Sequence, residues 1–338
     1  MHRDLINVLC CPQCGGDLLW KVMKEIDDDV VEGEAICSAC KTVYSVNDSI
    51  AYFMESKYLD ERIWKRCDRA NYKKMSSYEE REILNKKMYD LTNEEVLLRI
   101  AITEKSQKSD SSEIANLYEM FFDRCGMKKT LDYIFYLMNA LVLKIKEDNP
   151  RVVLDFASGR GLLASELAHN IDKSLLIFSD INPLIIKKCR ENIIIADKQN
   201  NISYFVFDMK KSPFKSGMVD CITTLFGMQN IPRTGNLLSE IYRICQKKYY
   251  AISSLCSDEK DRNYEYLREN GMLDVWIKDK MINEFYKVGF KRHTSLLSYS
   301  EIVQPPAKEI VESGYAVTKF PCETCKIEYS LDQYIKQL

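Results

Sequence analysis

From Arg151 onward the chain places short apolar runs at 152–156, 175–179, 203–207, 219–224 and 248–253, separated by segments long enough for a helix. Parallel strands can be joined only by crossovers of a dozen or more residues, so this rhythm calls for a mainly parallel sheet layered with helices. Two later candidate strands, at 291–298 and 315–320, would complete it. The 338 residues are long enough for about two domains. With 48 Lys and Arg against 50 Asp and Glu, the net charge of −2 carries no polybasic signature.

Upstream, residues 55–149 contain a single glycine, Gly126, and no proline before Pro150, which predicts helix. Ser76 with Glu79, Thr92 with Glu95 and Asp110 with Glu113 each pair a capping side chain with an acid three residues on, the pattern that satisfies the open N–H groups of a first turn. The polar run 106–112 reads as a link between helices. The apolar stretch 133–143, broken by Asn139, falls short of a membrane span and is expected as a buried helix. Residues 57–74 carry seven basic side chains around Tyr58, Trp64 and Tyr72, a face able to steer RNA or an acidic peptide. A solvated helix with Leu59, Ile63, Cys67 and Ala70 inward explains the same pattern. Tyr118 and Phe122 stand one helical turn apart, either closing over a ligand or packing in the core. No export leader precedes the first motif, so the cytoplasm is the expected location.

Thirteen cysteines in a reducing compartment point to metal binding rather than to disulfides. Cys11-Pro12-Gln13-Cys14 and Cys37-Ser38-Ala39-Cys40 stand 22 residues apart. Two such pairs, brought together by a small sheet, form a tetrahedral thiolate site for Zn²⁺; a redox pair or buried structural thiols are the alternatives. Gly15 and Gly16 allow the tight turn after the first pair, and Cys10 is left as a small core residue. LINVLCCPQCGGDLLW followed by EAICSACKTVYSVNDSIAYFM resembles the Trm112-like zinc-binding domain over about the first 54 residues. It departs from that pattern at Ser45 and Ser49, where the family has Pro and Gly. The resemblance implies a unit that supports methyltransferases, and four closed thiolates imply a structural metal.

Val152 to Ala164, VVLDFASGRGLLA, reads as a strand, a glycine-rich turn and a helix start. Gly159-x-Gly161-x-x-Ala164, with Asp180 19 residues beyond Gly161, formally fits a dinucleotide fingerprint. Asp155 discriminates: a carboxylate at that strand end crowds a pyrophosphate but suits a ligand carrying an ammonium and a sulfonium group. The stretch resembles motif I of class I S-adenosylmethionine-dependent methyltransferases, of the type 11-like kind, over residues 113–320. That resemblance implies an α/β, Rossmann-like, seven-stranded sheet behind a zinc-ribbon-like β domain (1–54) and a helical cap (55–149), the catalytic domain being 150–338. It further implies a cofactor site of Asp155, Ala157, Gly159 and Gly161, then Asp180 and Ile181 at the ribose. Asp208 and Met209 would sit at the adenine, and Leu225 and Phe226 under the methionine portion.

The sulfonium is already electrophilic, so alignment of a nucleophile suffices and no acid or base motif is required. LFGMQNIP after the fourth strand lacks the Asn/Asp-Pro-Pro-aromatic signature of amino-group methylation, and Pro321-Cys322 comes too late to be a cytosine nucleophile. His293 reads as a structural histidine. Cys322 and Cys325 lack two further ligands for a second metal site, for which Cys256 and His293 are the nearest candidates by type. The expected reaction is O-methylation of a carboxylate on a peptide or small metabolite, which is already ionised at neutral pH. Modification of a tRNA or rRNA base is the second reading, and a non-catalytic zinc-containing adaptor the third.

Overall fold

The computed structural model describes residues 1–55, 59, 128–194, 201–231, 235–256, 262–269, 271–303 and 325–336. Its strands are β1 (Leu18–Ile26), β2 (Asp29–Cys37), β3 (Val43–Asn47), β4 (Ile50–Tyr52), β5 (Val152–Phe156), β6 (Leu175–Asp180), β7 (Ile202–Val206), β8 (Val219–Leu225), β9 (Cys245–Cys256), β10 (Arg292–Val303) and β11 (Cys325–Ile335). The helices among the described residues are α1 (Lys128–Asp148), α2 (Leu162–Asn170), α3 (Pro183–Ile194), α4 (Gly235–Ile244), α5 (Arg262–Glu269), α6 (Leu273–Trp276) and α7 (Lys278–Val288). None of them is long and apolar enough to cross a membrane.

The strands form one sheet in the order β1-β2-β3-β4-β7-β6-β5-β8-β9-β11-β10. From β7 to β9 the pairing is parallel, and β11 enters antiparallel between β9 and β10. Every residue of β5 and β7 is buried, as expected of strands covered by helices on both faces. The five apolar runs of the sequence are thus β5 to β9. Proline opens α3 where its missing N–H costs nothing, and Asn182 Oδ1 accepts from Leu184 N at 3.0 Å to cap that helix.

Two readings of the sequence need correction. Among the described residues the last strand is β11, beginning at Cys325, which the sequence reading did not place; the strand expected at 315–320 lies outside the described residues. Polar Ser330, Asp332 and Gln333 hide β11 in the sequence, and Asp332 and Gln333 are answered by partners on the neighbouring strands. His293 Nε2 meets Asp332 Oδ1 at 2.8 Å, Ser330 Oγ donates to the other oxygen, and Gln333 donates to Tyr250 Oη at 2.6 Å. His293 is therefore a structural partner. The second correction concerns 133–143, which lies in α1 but is two-faced: Leu137, Met138 and Leu141 are buried, while Tyr136 and Leu143 are 54% and 60% exposed. The capping pairs at 76, 92 and 110, the basic stretch 57–74 apart from Leu59, Tyr118, Phe122 and Cys322 lie outside the described residues.

The amino-terminal strands do not stand apart. β4 pairs in parallel with β7, setting Ile50 against Tyr204 and Tyr52 against Val206, and Phe53 N donates to Val206 O at 2.8 Å. Cys10 N to Pro213 O at 2.7 Å and Lys215 N to Val8 O at 2.8 Å close the same seam lower down. Phe53, 2% exposed, stacks on Tyr44 at 5.0 Å and on Phe205 at 6.0 Å, joining the two cores. Arg190 reaches across from α3 to Asp48, at 2.7 Å from its carboxylate. Phe53→Ala is expected to cost about 3–5 kcal/mol, read by urea unfolding as a lower midpoint with protection lost first in β4 and β7.

Candidate cofactor and metal sites

The loops that follow β5, β6, β7 and β8 gather at the carboxyl edge of the sheet. Asp155, 1% exposed in the last turn of β5, receives Thr223 Oγ1 on Oδ1 at 2.9 Å, while Oδ2 has no hydrogen-bond partner among the described residues. Asp180, ending β6, accepts Gly159 N at 3.2 Å and Asn182 N at 2.9 Å. Burial pushes the Asp155 carboxyl up to about 7, the neighbouring Asp180 charge adding to this against the hydroxyls of Ser158 and Thr223. Burial likewise lifts Asp180 to about 6 despite its backbone donors. Two raised carboxyls at neighbouring strand ends make this edge the candidate site.

The turn between them is bent to leave space. Ala157, Gly159 and Gly161 all have positive φ, at 51°, 56° and 95°. A Cβ on Gly159 would meet nothing within 4 Å, so this glycine borders open room, whereas one on Gly161 would stand 2.9 Å from Cys189 Sγ. Gly161 thus serves packing, and Gly159 borders open space. Ser158 ties the turn down, its N–H on Ser179 O at 2.9 Å and its Oγ on Asp155 O at 2.8 Å. The loop after β8 crosses just above: Phe226 takes φ of 57°, and a Cβ on Gly227 would come 2.9 Å from that of Ala157.

The remaining expected residues lie along the same edge. Ile181 follows Asp180 directly and is half-buried. Asp208 is half-buried beyond the end of β7, its Oδ1 capping the turn Met209–Lys211 through Lys210 N at 2.9 Å; Met209 is buried. Leu225 and Phe226 are half-buried at the end of β8. Sequence reasoning missed Thr223 and Ser158. Thr223 sits inside an apolar run and meets Asp155 only through the β5–β8 register.

At the other end of the molecule the four thiols of Cys11, Cys14, Cys37 and Cys40 lie within 4.8 Å of one another, with Cys11–Cys40 at 3.6 Å and Cys14–Cys37 at 3.5 Å. A tetrahedron with 2.3 Å metal–sulfur bonds has edges of about 3.8 Å, so the cluster fits Zn²⁺ with no open position. Each pair closes the same turn: Gly15 N reaches Cys11 O at 2.7 Å and Lys41 N reaches Cys37 O at 3.1 Å. Both end residues are left-handed, Gly15 at φ 73° and Lys41 at 63°. Gly16 is small for a different reason, since a Cβ would stand 3.1 Å from Cys37 Sγ. Tyr44 Oη at 3.2 Å from Cys11 Sγ, and Thr42 Oγ1 at 3.2 Å from Cys40 Sγ, supply the outer hydrogen bonds that orient thiolate ligands. Cys10 is buried apart from the cluster, as expected. Ser49 takes φ 61° in the β3–β4 turn, so the position where the family pattern has glycine keeps its left-handed backbone.

A parallel sheet with one reversed strand next to its edge, and acids at three carboxyl ends, defines the class I methyltransferase architecture. Residues 153–248 match the family model described as a methyltransferase domain, and residues 2–49 match that of Trm112p-like proteins. The chain carries a class I methyltransferase domain behind a Trm112-like domain.

Similar curated proteins include the ubiquinone/menaquinone biosynthesis C-methyltransferase UbiE of Wigglesworthia glossinidia brevipalpis, 32% identical over 57% of this chain and 66% of that protein. The protein of the same name from Pseudomonas fluorescens is 28% identical over 27% of this chain and 36% of its own length. The chain thus spans between about a third and two thirds of these relatives. Among solved structures, the YcgJ protein of Bacillus subtilis is 12% identical, covering 60% of this chain and 99% of that one with a TM-score of 0.48.

Two outcomes follow from the site geometry. Freshly purified protein is expected to hold one equivalent of zinc by metal analysis, and Cys40→Ser to yield insoluble or partly folded chain, because such metal binding is largely folding free energy. For Asp155, the folded state keeps a proton that the unfolded chain releases, so stability falls as pH rises from 3.8 towards about 7. A ligand ammonium group needs the ionised form. Affinity for S-adenosylhomocysteine should therefore climb with pH to about 7, by at most about tenfold per unit, with proton release; calorimetry on Asp155→Asn should find that slope gone.

Proposed function

We propose that the chain is an S-adenosylmethionine-dependent methyltransferase whose zinc-bound amino-terminal unit is a fixed part of its sheet. The observation that carries this is the buried Asp155 carboxylate, with one oxygen unpartnered among the described residues beside the open space at Gly159. A cation belongs there. Asp155 would face the ammonium of the methionine portion, and Asp180 and Ile181 the ribose. Asp208 and Met209 would line the adenine, and Leu225 and Phe226 the methionine chain above Ala157 and Gly161. When bound, the cofactor supplies an electrophilic methyl group. The protein's part is to hold the ligand by its charges and to keep water from the edge of the sheet. Cys11, Cys14, Cys37 and Cys40 would hold Zn²⁺ as a structural ion, far from any open coordination.

The acceptor is a small molecule in this reading. O-methylation of a peptide carboxylate finds no support among the relatives, whose names describe C-methylation. RNA as acceptor rested on the Trm112-like resemblance and on the basic stretch 57–74, of which only Leu59 lies among the described residues.

Calorimetry with S-adenosylhomocysteine is the test. Binding should be lost by at least about tenfold in Asp180→Ala, the cost of two charge-assisted hydrogen bonds. Absence of binding by the wild-type chain would leave a non-catalytic zinc-containing adaptor. Labelled cofactor incubated with separated RNA, protein and metabolite fractions should deliver label to metabolites; label in RNA would overturn the acceptor class.

A further inference from the structure

Strand β8 carries two adjacent threonines in a place where apolar residues would pack as well. Thr223 and Thr224 are wholly buried, in a strand whose residues from Val219 to Thr224 are all buried. A buried hydroxyl is costly unless it is bonded, and valine has nearly the same shape without that demand. Both hydroxyls reach across to β5. Thr223 Oγ1 donates to Asp155 Oδ1 at 2.9 Å, and Thr224 Oγ1 donates to the Phe156 carbonyl oxygen, also at 2.9 Å. The second bond ends on backbone and pins the strand. The first ends on the side chain of the proposed site, between residues that the sheet register already sets opposite each other, so pairing of the strands does not need it.

A carboxylate held by one oxygen has its other oxygen aimed. Asp155 Oδ2 is buried and unpartnered among the described residues, and Ser158 Oγ on the Asp155 carbonyl at 2.8 Å ties down the backbone that carries it. The donor is stiff as well, because a β-branched side chain has little freedom at χ1. A hydroxyl donor also favours the charged carboxylate over the neutral acid. Burial carries the Asp155 carboxyl up to about 7, the Asp180 charge adding to this while the hydroxyls of Ser158 and Thr223 work the other way. The titratable groups whose charges reach Asp155 are Asp180 at the end of β6, Cys189 of α3 and Tyr249 of β9. Burial holds the Cys189 thiol and the Tyr249 phenol well above their ordinary values, so both stay neutral near pH 7 and Asp180 is the charge that competes. Arg160, half-buried in the turn, keeps its charge over the same range.

We propose that Thr223 is a positioning residue for the cofactor: its hydroxyl fixes Oδ1 of Asp155, so that Oδ2 is presented, in its charged form, to the ligand's ammonium group. This rests on the methyltransferase reading above and adds to it the group that sets the pH range of binding. In this role Thr223 acts through Asp155 and need not touch the ligand.

The test is calorimetry of S-adenosylhomocysteine binding by the full chain from about pH 5.5 to about pH 8.5, read beside the unfolding midpoint of each variant. Wild-type affinity should level off at about 7. In Thr223→Val the profile should move up by about one pH unit, the scale of one hydrogen bond to a charged group, so that binding is about tenfold weaker at about pH 6 and the gap closes above about pH 8. Thr223→Ser, which keeps the hydroxyl, should restore the wild-type profile. Thr224→Val should lower the unfolding midpoint and leave the pH profile in place, as loss of a merely structural hydroxyl would. The carboxyl carbon resonance of Asp155 in the free, labelled chain should show the same shift without ligand, and in an Asp155→Asn background Thr223→Val should weaken binding no further. A profile and a resonance unmoved by Thr223→Val, or moved equally by Thr224→Val, overturn the inference and leave the methyltransferase reading standing. Failure of the wild type to bind S-adenosylhomocysteine at every pH overturns both.

Discussion

The three-residue pairing of β4 with β7 is the contact on which the rest of the molecule depends. Without it the amino-terminal strands would be a small β unit with a metal, and β7 an edge strand offering its backbone to any partner. With it, Phe205 is covered by Phe53, and the strand that ends two residues before Asp208 is held on both sides. The seam continues through Val8 and Cys10 against 213–215, so the segment that follows Asp208 is clasped by the residues just before the first metal ligand. The thiol cluster, the seam and the segment around Asp208 are therefore joined through one sheet, and an ion in that cluster would bear on the proposed site by fixing the strand that leads to Asp208.

The second constraint is electrostatic. Asp155 and Asp180 are nearly inaccessible to water, and the Asp180 charge is close enough to raise the cost of ionising Asp155. Burying carboxylates is expensive unless they are answered, and the protein answers them in part, with Thr223 on one and two backbone amides on the other. In the proposed site, the Asp155 oxygen unpartnered among the described residues is the one that would face the ligand. Left-handed backbone at Ala157 and Phe226, residues that do not favour it, is found in the two loops that meet over this spot. Strain and orphaned charge thus fall together, as they do where a site is built in advance of its ligand.

Much of this was legible in the sequence for a plain reason: local periodicity writes parallel strands as apolar runs, and β5 to β9 were visible as such. Two Cys-x-x-Cys pairs announced a metal site because a tight turn presents two thiols whatever surrounds it. Even so, one knuckle ends in Gly15 and the other in Lys41, both left-handed, and only the first carried a signal. β11 was illegible because Ser330, Asp332 and Gln333 resemble a loop until His293 and Tyr250 are brought opposite. Thr223 was hidden among apolar neighbours and meets Asp155 only through the strand register.

What the sequence determined by itself was the sheet's parallel core, the acids at its strand ends and the thiols in their pairs, since each depends on residues close together in the chain. The tertiary structure alone decided that the amino-terminal thiol-bearing unit extends the same sheet, and that Asp155 is left with one oxygen unpartnered among the described residues. Those are register and packing relations between segments far apart in sequence, and no local pattern encodes which backbone edge, or which face, will find which.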